Sequence, residues 1–291
     1  MANKGLYVSR DGGVTRALPL KGMMVSGAFA IDPHDANTVY APVRDVPGNV
    51  TNFYLSNDRG RSWRLASKLS EYIYALFVGN DGAIYLGPAW GDSKTANGLL
   101  VSRDRGASWQ ALPFRSTVQG LICWSIAQDP NDGTLYVGTE IYNHPAPYRP
   151  PFYISHDGGK TWTENVGAIP WHVVGLQIDP RTSFIYALME GLGVMGSSDH
   201  GQNWTKLALD PGIFLLLDRN HPGRLFGGSP AFNNLHSGCA LVSLDGGQSY
   251  RPIGLRSAHA STLALNGDST RLYVASNASG PYVSPIPTTF P

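Results

Sequence analysis

Glu71, His172 and His259 are the residues whose types and spacing point most directly to chemistry. Each stands fourteen residues before an aromatic that recurs at a predicted strand end, namely Tyr85, Tyr186 and Tyr273. The same offset gives Ile122 from Tyr136. Allowing one more residue for the longer segments ending at Tyr40 and Phe226 gives Val25 and Pro211. Two imidazoles and a carboxylate can hold one divalent metal with positions left open for water or substrate. Such an ion could activate water or polarise a substrate oxygen. Iron, zinc, manganese and copper all suit this donor set, and His144 and His236 are substitutes if one of the three points away. Without a metal, His172 or His259 can act as general base or bind substrate, and a polar residue at a wet strand start can equally be solvated and nothing more. The expectation is a single divalent ion and no organic cofactor.

A second set lies four residues after the same aromatics: Arg44, Ala89, Glu140, Glu190, Pro230 and Asn277. Glu140 and Glu190 could form the acid and base pair of glycoside hydrolysis, or be solvated loop carboxylates. The segments that follow, 41–51, 87–98, 138–151 and 228–238, are long and variable, and function tends to sit on such loops over a rigid scaffold. They supply the candidate substrate contacts Arg44, Trp90, Tyr142, His144, Arg149, Asn233 and His236. Trp90, Trp171, Tyr142 and Tyr148 could stack on a flat ligand such as a sugar ring. Trp124 and Tyr72 are expected to pack between neighbouring sheets instead.

The elements that must position these residues are repeats. A phrase of the form Ser-x-Asp-x-Gly-x-Ser/Thr-Trp, or a near copy, occurs six times, at 9–16, 56–63, 102–109, 155–162, 197–204 and 243–250. Its aspartates, Asp11, Asp58, Asp104, Asp157, Asp199 and Asp245, are separated by 47, 46, 53, 42 and 46 residues. A period in the forties marks an array of small sheets. Asp and Gly at fixed offset make a tight turn, because the carboxylate accepts backbone N–H groups and Gly takes positive φ. Before each of the five later copies, and once after the last, comes a hairpin ending in Tyr or Phe, at 28–40, 75–85, 126–136, 176–186, 215–226 and 263–273, with turns rich in Asp, Pro, Asn and Gly. Each repeat therefore reads as four strands, with the phrase as the turn between the third and fourth. Six such blades are preferred, in a single domain over 1–291 closed by pairing of the N- and C-terminal strands. Gly280-Pro281-Tyr282-Val283-Ser284 also reads as a third strand, so seven blades are the alternative. In this arrangement the first strand starts and the second ends on one face, which also gathers the long loops.

The phrase resembles the Asp-box (BNR) repeat of sialidase-like β-propellers. The resemblance runs nearly end to end and implies an all-β propeller whose Asp-box turns lie away from the active site, so none of the six aspartates is a catalytic candidate. It allows several activities: sialidases, xyloglucan-active hydrolases, which pair two propellers around a cleft, polysaccharide lyases and non-catalytic assembly factors. A typical sialidase is not expected, because the arginine triad and the Arg-Ile-Pro segment are not matched; Arg44 and Arg149 are the arginines near the candidate face. The favoured reading is an enzyme acting on a carbohydrate or similar polar substrate, by hydrolysis or lyase chemistry. The alternatives are a metal-dependent enzyme built on Glu71, His172 and His259 with a non-glycan substrate, and a non-catalytic scaffold for a glycan or protein.

Composition narrows the partners. A chain of 291 residues can bury a substantial core. Gly 34, Pro 21 and only 15% charged residues suit a turn-rich all-β protein. A net charge of +1 without a basic run argues against nucleic acid. No apolar stretch reaches the roughly 18 residues of a spanning helix, so no membrane partner is expected. The two cysteines, Cys123 and Cys239, make no disulfide framework or zinc motif and read as small core residues. A monomer is expected, cytoplasmic if Met1 is native and secreted if a leader has been removed.

Overall fold

The computed structural model describes residues 5–11, 14–15, 17–21, 24–25, 29–45, 50–89, 98–113, 121–141, 150–165, 169–189, 192–207, 214–228, 240–253, 260–276 and 282–286. Every regular element among them is a β-strand. The chain divides into two compact units, Met1–Pro170 and Trp171–Pro291.

In the first unit, Gly5–Val8 and Ala17–Lys21 form a two-stranded sheet. Next, Val39–Asp45, Val50–Ser56 and Arg64–Leu69 pair in order, and Met24–Val25 and Ala30–Ile31 together take the place of one first strand against Val39–Asp45. Two regular four-stranded sheets follow. One is Tyr72–Val78, Ile84–Ala89, Leu100–Ser102 and Gln110–Ala111; the other is Leu121–Gln128, Leu135–Ile141, Phe152–Ser155 and Thr163–Asn165. The second unit repeats the pattern with Val173–Ile178, Ile185–Met189, Gly193–Ser197 and Thr205–Lys206, then with Phe214–Leu217, Leu225–Gly228, Ala240–Ser243 and Arg251–Pro252. Its last sheet joins Ala260–Leu265, Arg271–Ser276 and Tyr282–Pro285. The segment near Tyr282 is thus the third strand of that sheet.

Within each unit the core lies between consecutive sheets, because strand alternation gives each sheet two apolar faces. Ile73, Ile84 and Leu86 face back onto Tyr40, Phe53 and Leu55, while Ala75, Tyr85 and Val101 face forward onto Leu121, Cys123, Leu135 and Val137. In the second unit Tyr186, Leu188 and Val194 pack on Leu217, Leu225 and Leu241, and Phe226 and Val242 on Leu263, Leu272 and Val274. The recurrent aromatics Tyr40, Tyr85, Tyr136 and Phe226 are fully buried. Cys123 is buried and free, as expected, and burial pushes its thiol up to about 12; Cys239 lies outside the described residues.

The six predicted turns share one set of aspartate bonds, and the five whose glycine is described share a serine–glycine bond as well. In the copy at 102–109, the buried Ser102 hydroxyl donates to Asp104 (2.7 Å) and accepts from Gly106 N–H (2.8 Å). Asp104 in turn accepts from the backbone N–H (2.9 Å) and the hydroxyl (2.5 Å) of Ser108. The same aspartate bonds recur at Asp11, Asp58, Asp157, Asp199 and Asp245. The indoles of Trp63, Trp162 and Trp204 close their own turns onto a glycine carbonyl. That of Trp109 instead donates to Ser67 in the preceding sheet. Each of these bonds is made within the turn or to the neighbouring sheet, which fits a structural staple.

Candidate functional site

The start of the first strand carries a second backbone irregularity. A one-residue register slip occurs between Ile73 and Ala75, between Cys123 and Ser125, between Val173 and Gly175, and between Ala260 and Thr262. The bulged residues are Tyr74, Trp124, Val174 and Ser261. A β-bulge re-aims a side chain and is favoured beside functional sites. The same backbone device thus recurs in four sheets and displays Tyr74, Trp124 and Val174 in three of them.

Hairpin length corrects the fourteen-residue ruler. Five residues, 79–83, connect the hairpin that begins at Tyr72, whereas six connect those of Leu121–Gln128, Val173–Ile178 and Ala260–Leu265. Ladder pairing therefore makes Tyr72↔Ala89 the equivalent of Ile122↔Glu140. Glu71 lies one residue outside that register, and a one-residue shift changes the face of the strand. Similarly, Met24 rather than Val25 pairs with Arg44. His172 immediately precedes Val173, whose partner is Met189. His259, Glu190, Trp90, Tyr142, His144, Arg149, Asn233 and His236 lie outside the described residues, as do Tyr148, Pro211, Pro230 and Asn277.

In the first unit the structure gathers five half-buried side chains into one strip. The Arg44 guanidinium stands over the Tyr72 ring, 4.9 Å from its centroid. The Tyr72 and Tyr74 rings are 4.8 Å apart at 44°, and Tyr74 meets Trp124 at 4.5 Å and 61°. At the far end the Trp124 indole N–H donates to the Glu140 carboxylate. Arg44 and Glu140 were legible from their place after the strand-end aromatic. Trp124 and Tyr72 were expected between sheets, and each meets a residue of a neighbouring sheet, Tyr72 under Arg44 and Trp124 against Tyr74, while staying partly exposed.

Sequence reasoning missed Tyr74. The signal was there: Trp124 stands twelve residues before Tyr136 and Val174 twelve before Tyr186, and one residue fewer in the shorter hairpin gives Tyr74. Two features hold the strip together. Thr51, fully buried, donates its hydroxyl to the Glu71 carbonyl (2.6 Å), which fixes the chain entering Tyr72. Gly87 lets the two sheets approach, since a Cβ there would lie 2.7 Å from the Cys123 carbonyl oxygen and 2.8 Å from its Cβ. In the second unit, Trp171 is 40% exposed and meets the His172 ring edge-on at 4.8 Å.

Comparison with known proteins bears on this geometry. Residues 153–164 match the family model of the BNR/Asp-box repeat. Over 152 residues, 49% of the chain, the sequence is 28% identical to the probable oligoxyloglucan-reducing end-specific xyloglucanase of Neosartorya fischeri; the match spans 18% of that protein. The GH74 enzyme of Niastella koreensis superposes with a TM-score of 0.66 at 18% identity, covering 89% of this chain and 46% of that one. YCF48 bound to a D1 peptide superposes with a TM-score of 0.65 at 15% identity, covering 98% of this chain and 88% of YCF48. The fold is thus the all-β propeller type expected from the repeats. The chain spans about half or less of the hydrolases it resembles and most of YCF48.

Proposed function

We propose that the protein is a carbohydrate-directed enzyme of hydrolytic type, which seats a glycan chain along Tyr72, Tyr74 and Trp124 and places Glu140 at its end. The observation that carries this reading is the continuous aromatic strip ending in a carboxylate. Aromatic faces supply large apolar contact at low conformational cost, which matches the C–H faces of sugar rings. The tilts of 44° and 61° curve the strip, so it suits a twisted single chain better than a flat crystalline surface. Glu140, steered by the indole N–H, is the candidate proton donor to a glycosidic oxygen. Glycoside hydrolysis requires a second carboxylate; Glu190, the other half of the pair expected from the sequence, lies outside the described residues. The likeness to a xyloglucanase and to GH74 enzymes supports the substrate class. The test is turnover on a panel of soluble glycans: new reducing ends mean hydrolysis, and an unsaturated product means a lyase. Binding lost in Trp124→Ala, with turnover lost and binding kept in Glu140→Gln, is the expected pattern.

A second reading is a non-catalytic scaffold, supported by the likeness to YCF48 bound to a D1 peptide. Glycan binding without any product would select it. The metal reading of Glu71, His172 and His259 rested on a common register that Glu71 does not share; elemental analysis of purified protein and of His172→Ala tests what remains of it.

A further inference from the structure

Independently of the glycan reading, we propose that the outer edge of Arg64–Leu69 takes up an extended acidic segment of a partner protein as an added strand. The fourth strand of each sheet is paired on one side only. Most of the described fourth strands are too short to template another: Gln110–Ala111, Thr205–Lys206 and Arg251–Pro252 have two residues and Thr163–Asn165 has three. Ala17–Lys21 has five, but its Pro19 has no N–H to donate. Arg64–Leu69 has six residues and ends its sheet among the described residues. Alternate residues of such an edge turn their N–H and C=O groups outward, and strand addition uses that row as its template.

The side chains decide what fits the edge. Leu65 and Lys68 oppose Tyr54 and Asn52, so they share one face of the sheet, while Arg64 opposes Leu55 on the other. Arg61, Arg64 and Lys68 are exposed, and among the described residues none of their side chains has an ion-pair or hydrogen-bond partner. Asp58, the carboxylate of the adjoining turn, is spent on Ser56 and Ser62. Leu65 is 43% exposed. The edge is therefore cationic on both faces, with one apolar contact. Pairing with the same edge of a second copy would set these cations against their equivalents, which is how edge strands resist self-association. An acidic strand meets no such repulsion. The register slip at Ala66 also bends and twists the edge, and a short single segment follows a twisted edge more easily than a second sheet does.

The probe is a fluorescent octapeptide of alternating Val and Glu. Its controls are the Val/Gln analogue and two acidic forms N-methylated at odd or at even residues. Anisotropy titrations at low and high salt compare the wild type with the double variant Arg64→Gln, Lys68→Gln. Both positions are exposed, so the variant should fold, and its melting curve checks this. The acidic peptide should bind the wild type, weaken with salt and lose about fivefold in the double variant, as for two exposed ion pairs. The Val/Gln analogue should respond to the substitutions within about twofold. One of the two N-methylated forms should fail to bind, namely the one whose methyl groups face the edge and remove the ladder donors. No binding of the acidic peptide to the wild type overturns the proposal. An unchanged affinity in the double variant, or equal binding of the two methylated forms, overturns it as well. A wild-type dimer that the peptide dissociates, read by light scattering, would assign the edge to a second copy and overturn it too.

Discussion

Two backbone irregularities recur along the chain, the Asp-box turn between the third and fourth strands and the bulge near the start of the first. The turn repeats its side chains as well as its backbone: a serine, an aspartate and a hydroxyl or amide residue bond one another in every copy. The bulge repeats only its backbone, and the side chain it displays changes from Tyr74 to Trp124 and Val174. A repeat that keeps its chemistry everywhere answers a demand common to every sheet, which is stability. A repeat that keeps its shape and changes its chemistry can answer a local demand, and in the first unit it supplies two of the three rings of the strip.

The sharpest way to break this contrast is to damage one turn and one bulge and ask which property fails. Gly106→Ala is the larger blow. Its φ is +83° and the new Cβ would sit 2.3 Å from the ring of Phe53, which is itself fully buried. Left-handed strain and overpacking together should cost about 3 kcal/mol of unfolding free energy, read from the denaturant midpoint, with glycan affinity of the folded fraction unchanged. Trp124→Ala should do the reverse: affinity should fall roughly 30-fold, about 2 kcal/mol, with the smaller cost falling on stability. Equal effects of both variants on both readouts would erase the distinction.

How far the sequence could be read follows the same line. The turns were legible to the residue, because Ser, Asp and Gly at fixed offsets leave the backbone little choice. The strip was legible only in part. Arg44 and Glu140 were picked out by counting from buried aromatics, and Trp124 and Tyr72 as aromatics packed between sheets, but a hairpin one residue short displaced Glu71 from the common register. Turn lengths respond to local polar bonds such as Gly79 N–H to the Ala83 carbonyl, which a count cannot see. Tyr74 was missed because a bulge adds a residue and breaks the alternation that a count along a regular strand assumes.

Acid sharpens the comparison next. The Asp104 carboxyl is held down at about 2 by the Ser108 hydroxyl, then by the Ser108 N–H and the Ser102 hydroxyl. Asp11, Asp157, Asp199 and Asp245 are lowered to the same value, and Asp58 further still. Their folded values lie below those of the unfolded chain, so the turns contribute stability that is complete above about pH 4. It is lost as the pH falls toward 2. The melting temperature should therefore drop steeply in that window. Asp104→Asn should melt lower at neutral pH and lose less on acidification. A profile as steep in the variant as in the wild type would show that this turn does not contribute to the acid response.

The smallest expected effect has the opposite sign and lies one residue from the largest. Arg105 precedes Gly106 and holds a φ of 58°, as Arg59 and His200 hold 61° and 58° in their turns. At the same place the copies at 155–162 and 243–250 have Gly158 and Gly246, both at 72°. The turn thus needs a left-handed residue before its invariant glycine, and three copies meet that need with a side chain that disfavours it. The strain costs about 1 kcal/mol in a residue with a Cβ, partly offset by the greater freedom that glycine has in the unfolded chain. Arg105→Gly should therefore stabilise the protein by a few tenths of a kcal/mol, while Gly106→Ala destabilises it several-fold more. A loss of stability in Arg105→Gly would mean that the arginine side chain contributes more at the surface than its backbone costs, and the turns would then differ from one another in chemistry as the bulges do.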